Sequence, residues 1–220
     1  MAAPPRPEPK FFLVDDLYAR GLEHYSTTWF AAAPSGRRCG EKSTNYLESE
    51  SAAHRIQRDL PSVRLVFILR EPVARAWSNY LWSRMNGAER ETFERALELE
   101  QEREAKASGA DRFSRPHAYF SRGLYADLLQ PWLSLFPREQ ILCLRFEDIQ
   151  DAPGKLAAEL HRFLDLPVRR EDVDGLGSMN ASDANGPVLF PHIRARLAAL
   201  YAAPNRRLSI LLGPGFRIWT

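Results

Sequence analysis

Residues Arg64 to Tyr80, RLVFILREPVARAWSNY, constrain this chain more than any other stretch. The run Leu65-Val66-Phe67-Ile68-Leu69 has the length and β-branched character of a strand buried on both faces. Arg70 ends it at once. Pro72 then fixes φ just inside a new helix, along which Val73, Ala76, Trp77 and Tyr80 recur at helical spacing. The pattern predicts strand, tight turn, helix. In a parallel sheet such turns lie at the carboxyl ends of the strands, where a helix amino terminus offers free N–H groups to an anion. Arg70 and Ser78 both belong to that turn and helix.

A second unit repeats the logic. Ile141-Leu142-Cys143-Leu144 reads as a buried strand, charge follows at Arg145 to Asp148, and Pro153 opens a helix carrying Leu156, Leu160, Phe163 and Leu164. Two such units predict an α/β protein with a parallel sheet. At 220 residues the chain suffices for one substantial core, so a single domain over residues 1–220 is expected.

Between and around these units the sequence predicts a proline-rich extended start, a short extended piece at Phe11 to Val14, and a helix bearing Leu17, Tyr18, Leu22 and Tyr25. It further predicts a helix through Ala52, Ala53, Ile56 and Leu60, and a solvated, ion-paired helix from Thr92 to Lys106. Residues 107–116 read as a mobile loop, residues 119–135 as a helix, 171–191 as a long loop, and Ile193 to Leu212 as the last helix.

Composition removes several classes of function. A formal net charge of +2 is too weak to argue for nucleic acid, and an anionic small ligand suits it as well. Cys39 and Cys143 lack metal-ligand spacing and form no disulfide framework. No apolar run nears the roughly 20 residues of a membrane span, and no leader-like segment opens the chain, so a cytoplasmic location is expected.

Several stretches, in order, carry a family likeness: EPKFF at Glu8 to Phe12, GLEHY at Gly21 to Tyr25, EKSTNY at Glu41 to Tyr46, LREPVARAWSNY at Leu69 to Tyr80, and RGLYADLLQPWLSLFPREQILCLRFEDI further on. Tyr201, Asn205 and LLG close the series. The chain resembles sulfotransferases that use 3'-phosphoadenosine 5'-phosphosulfate, in the branch of the heparan sulfate sulfotransferases and their bacterial relatives. The resemblance implies a three-layer, P-loop-NTPase-like α/β fold, and transfer of a sulfuryl group to a hydroxyl or amino group of a glycan or small molecule. It implies adenosine 3',5'-bisphosphate as the second product, and no metal. Glu8 would be the base and Lys42 the cation near the sulfuryl group, while Arg70 and Ser78 would hold the 3'-phosphate.

Taken singly, these residues are less telling. Glu8 and Lys42 alone read as solvated charges, and Ser78 as a helix residue bonded back to its own backbone. Arg70 stays open between binding an anion and pairing with Glu71 or Glu147. Tyr125 reads as packing rather than lining the pocket. A carboxylate beside a buried anionic donor is expected to hold its proton more tightly, which suits Glu8 as a base.

Two departures from the family pattern stand out. The GxxKSGTT-type loop for the 5'-phosphosulfate and its central strand do not occur, so the chain is expected to be a fragment, a mis-started product or a degenerate protein. The segment Asn180 to Pro187, where relatives often place a cation, holds Asp183 and no Lys or Arg. The alternative to an enzyme is therefore a non-catalytic remnant that binds the nucleotide or a protein partner.

Overall fold

The computed structural model describes residues 8–34, 36–109, 111–167 and 187–219. In chain order the helices and strands are α1 (Asp15–Tyr18), α2 (Gly21–Phe30), α3 (Glu50–Asp59), β1 (Leu65–Leu69), α4 (Pro72–Met85), α5 (Phe93–Lys106), α6 (Asp111–Ser114), α7 (Tyr125–Leu135), β2 (Ile141–Arg145), α8 (Asp148–Asp151), α9 (Pro153–Phe163) and α10 (Pro191–Leu212). Short 3-10 turns occur at Tyr46–Glu48, Ser121–Gly123 and Arg138–Gln140. Among the described residues the sheet has two strands, β1 and β2, which pair in parallel from Leu65 with Ile141 to Leu69 with Arg145.

Local chemistry sets most boundaries. Pro72, Pro153 and Pro191 each occupy a first-turn position, where a missing N–H costs nothing. Ser49 caps α3 by accepting from Ala52 N, and Thr92 caps α5 by accepting from Arg95 N. Gly213, at φ 77°, ends α10 in a conformation that side chains resist.

Two apolar clusters hold these elements. One packs Phe11, Phe12, Ile56, Phe67, Leu129, Trp132, Ile141 and Trp219 around the sheet. The other joins α4, α5 and α10 through Val73, Tyr80, Phe93, Ile193, Leu197 and Tyr201. Tyr201 lies so close over Gly123 that a Cβ there would come within 2.6 Å of its hydroxyl oxygen, and that hydroxyl donates to Phe120 O at 2.8 Å.

Several expectations need correction. β1 is not buried on both faces: Ile68 is 51% exposed, although Leu144, beside it in register on β2, is buried. Phe11 to Leu13 form a turn, with Lys10 at φ 53° and its carbonyl accepting from Leu13 N and Val14 N, so both phenylalanines can point inward. The helix expected after them is two, α1 and α2. The segment read as a mobile loop instead contains α6 and Arg115, which bonds to Glu48 at 2.8 Å and Glu104 at 2.6 Å. In α5, Glu100 is buried and accepts from Phe120 N and Ser121 N. Most of the long loop expected at 171–191, including Asp183, lies outside the described residues, as does most of the proline-rich start.

Candidate active site

The chain brings Glu8 and Lys42 together across 34 residues. Lys42 Nζ lies 2.6 Å from Glu8 Oε1, Thr44 donates to the same oxygen, and Lys10 Nζ stands 3.7 Å from Oε2. Glu8 is largely enclosed, with 20% of its side chain exposed, whereas Lys42 is 76% exposed. The pairing rests on a clamp. Lys10 N donates to Ser43 Oγ at 3.0 Å, Phe12 N donates to Tyr46 Oη at 3.2 Å, and Arg55 reaches Phe12 O at 3.1 Å. Burial of Phe11 and Phe12 stabilises the segment by about 1.5–3 kcal/mol for each ring.

The protein's own groups set the proton affinity of Glu8 before any donor adds its charge. Burial pulls it up, but hydrogen bonds from Lys42 and Thr44 and the charges of Lys42 and Lys10 outweigh that pull and hold the carboxyl below its usual range. The raised carboxylate is its neighbour Glu41, which the sequence reading did not single out. Burial pushes Glu41 up to about 7, and the charge of Glu8 adds to the push, against hydrogen bonds from Tyr46, Tyr25 and Ser43. Two tyrosines packed beside phenylalanines needed a polar partner, and that was the one available signal.

Arg70 stands in the turn just after β1, and Ser78 lies within α4. The helix amino terminus does not offer free N–H groups, however: Glu71 folds back and accepts from Val73 N at 2.9 Å and Ala74 N at 2.7 Å. Glu147 is likewise engaged, accepting from Glu71 N and from Trp219 Nε1, both at 2.8 Å. Neither carboxylate pairs with Arg70. Its guanidinium lies 5.1 Å from the centre of the Phe146 ring and has no carboxylate partner among the described residues. Ser78, half-buried on α4, makes no hydrogen bond among them, not even to its own backbone. Tyr125 packs at 4% exposure and donates to Arg70 O at 2.9 Å, which ties α7 to the end of β1. These groups suit an oxyanion: a guanidinium and a hydroxyl with no internal acceptor, on a backbone fixed by its neighbours.

A groove of about 420 Å³ between α5 and α10 contains none of these residues. Among the described residues no cluster of His, Cys, Asp and Glu could hold a metal ion, and no helix is long and apolar enough to cross a membrane.

The chain is similar to known proteins in both fold and sequence. A sulfotransferase from Alicyclobacillus acidocaldarius superposes with a TM-score of 0.76 at 24% identity, over 95% of this chain and 84% of the other. The fold is thus the three-layer, P-loop-like α/β architecture of a sulfotransferase. The bifunctional heparan sulfate N-deacetylase/N-sulfotransferase 1 of Mus musculus is 31% identical over 157 residues, covering 67% of this chain and 17% of the relative. The heparan sulfate glucosamine 3-O-sulfotransferase 6 of Homo sapiens is 30% identical over 159 residues, covering 72% of this chain and 43% of the relative. The chain spans less than half the length of these curated relatives. The family model described as the sulfotransferase domain matches residues 36–179, well over half of the sequence. By that match, and by the relatives that accompany it, the chain belongs to the sulfotransferase family.

Proposed function

We propose that the protein moves a sulfuryl group from 3'-phosphoadenosine 5'-phosphosulfate to a hydroxyl or amino group of a glycan or small molecule. The observation that carries the reading is the contact of Lys42 and Thr44 with Glu8, which unites a carboxylate and a cation from two distant segments. The heparan sulfate relatives favour a glycan as acceptor.

The donor supplies an activated sulfuryl group whose bond to the 5'-phosphate breaks as the acceptor oxygen or nitrogen bonds to sulfur. Glu8 takes the acceptor's proton. While Lys42 holds Glu8, that carboxylate is a weak base; a Lys42 that turns to an anion leaves a stronger one. The same lysine then offsets negative charge that develops during transfer. Arg70 and Ser78 hold the 3'-phosphate by charge-assisted and hydroxyl hydrogen bonds, with Arg70 fixed through the Tyr125 bond to its carbonyl.

Calorimetric titration with adenosine 3',5'-bisphosphate tests the donor site. Arg70→Ala should weaken binding by about 1.5–3 kcal/mol, or roughly 10- to 100-fold. Absence of binding by the unaltered protein would remove the reading altogether. Glu8→Gln should keep nucleotide binding and lose roughly 10²- to 10⁴-fold in transfer rate. Binding without transfer in the unaltered protein would favour a nucleotide-binding remnant.

A further inference from the structure

Arg70 owes its place to more than the Tyr125 bond. The peptide plane before it is held through Leu69 O, which accepts from Phe146 N at 2.8 Å. The plane after it is held at both polar groups: Arg70 O accepts from Tyr125 Oη at 2.9 Å, and Glu71 N donates to Glu147 Oε1 at 2.8 Å. A peptide unit is rigid, so gripping its carbonyl and its amide together fixes its orientation. The Arg70 Cα thus lies between two held planes, and the direction in which its side chain leaves the backbone is set before any ligand arrives.

The side chains that grip the second plane come from different elements, Tyr125 from the start of α7 and Glu147 from the turn between β2 and α8. Both meet the same partner, Trp219. Its Nε1 donates to Glu147 Oε2 at 2.8 Å, and its ring centre lies 5.9 Å from that of Tyr125. Glu147 is therefore a bridge, with one oxygen on the Arg70 turn and the other on the indole. Trp219 reaches this place because Gly213 ends α10 at φ 77° and the chain turns there, Phe216 N donating to Gly213 O at 3.3 Å. Its ring packs edge-on against Phe216, 5.7 Å between centres, and is buried. An indole so enclosed, with its one donor engaged by a carboxylate, has little freedom to move.

We propose that Trp219 is a positioning residue for Arg70: through Glu147 and Tyr125 it fixes the Arg70–Glu71 peptide, and so the reach of the guanidinium towards a 3'-phosphate. This rests on reading Arg70 as the 3'-phosphate ligand. Trp219 acts without touching the nucleotide, by removing the need to order Arg70 when the phosphate binds.

Trp219→Phe keeps a ring beside Tyr125 and removes the N–H that Glu147 accepts. In the whole chain without nucleotide, amide hydrogen exchange at Glu71 should quicken roughly three- to tenfold, the effect of about one hydrogen bond, while exchange within α5 stays as it was. Unmoved exchange at Glu71 would overturn the proposal. Calorimetric titration with adenosine 3',5'-bisphosphate supplies the second arm. Trp219→Phe should raise Kd roughly three- to tenfold when Arg70 is present and leave it unmoved in Arg70→Ala, because an absent guanidinium cannot be misplaced. An equal loss in both backgrounds would reject the positioning role and spare Arg70 as the phosphate ligand. No bisphosphate binding by the unaltered protein would remove the phosphate reading and this role with it, and a quickened Glu71 amide would then mark the grip as structural alone. If Trp219→Phe does not fold, Glu147→Gln decides by the same two measurements, since its one carbonyl oxygen cannot stand at both Glu71 N and Trp219 Nε1.

Discussion

Glu89, after α4, and Glu41, before α3, both hold carboxylate oxygens away from solvent, and they treat a proton in opposite ways. Glu89 is saturated. Its Oε1 accepts from Arg90 N and Glu91 N, and its Oε2 accepts from Arg103 at 2.6 Å and Tyr119 at 2.8 Å. Burial pulls it up, but these bonds hold it at about 2. Glu41 has neutral hydroxyls, no cation of its own among the described residues, and one oxygen without a bond, and it is pushed up to about 7. Burial alone therefore does not decide the charge of a carboxylate. Backbone N–H groups and a guanidinium make a permanent anion that locks a turn; neutral hydroxyls leave a carboxyl that holds its proton more tightly.

The sharpest way to break this contrast is Glu89→Gln. A carboxyl held at about 2, against an ordinary 4.5, contributes stability that is full above 4.5 and lost as the pH falls towards 2. At roughly 1.4 kcal/mol per pH unit, the variant should lose about 3 kcal/mol at pH 7. Urea unfolding across pH 2–7 should show that loss shrinking in acid. An equal loss at every pH would mean that packing, not charge, is what Glu89 provides.

Tyr46→Phe probes the other side. It removes one hydroxyl from Glu41 and leaves Phe12 N without its acceptor, so we expect a loss of about 1–1.5 kcal/mol and a Glu41 titration pushed still higher. Unchanged unfolding would show that the bond from Phe12 N to the Tyr46 hydroxyl carries no weight. The smallest effect belongs to Arg70→Ala. With no internal ion pair to lose, its stability should stay within about 0.5 kcal/mol of the original even as nucleotide binding falls. A large loss of stability would place Arg70 among the structural cations instead.

What was legible in the sequence follows the range of the interactions. β1, α4, β2 and α9 could be read from apolar runs stopped by arginine and from prolines at helix starts, because those signals sit within a few residues of one another. Glu100 in a charge-rich helix could not be read as buried, since the amides that satisfy it belong to Phe120 and Ser121. Arg115 likewise finds Glu48 only across 67 residues, so its segment looked free. At the site, Arg70 follows a regular strand and Ser78 sits on a regular helix, so the pattern alone singles them out. That Glu71 would take up the helix amides was not foreseen, although an acid just before Pro-Val-Ala is a capping signal. Glu8 and Lys42 emerged only through family likeness, because nothing local distinguishes either from a solvated charge. Glu41 was passed over for the same reason.

The parallel pairing of β1 with β2 also dictates the order in which the chain can mature. Glu71 and Glu147, just past the ends of the two strands, bond across 76 residues. At about 5–20 residues per second, a ribosome needs roughly 4–15 s to travel that far. Throughout that interval the strand that carries Arg70 waits without its partner, its apolar row open to solvent or to neighbouring chains. Nascent chains of this protein are thus most open to chaperone capture in the window between synthesis of Leu69 and that of Arg145, and a synonymous slow codon inside it would lengthen the risk.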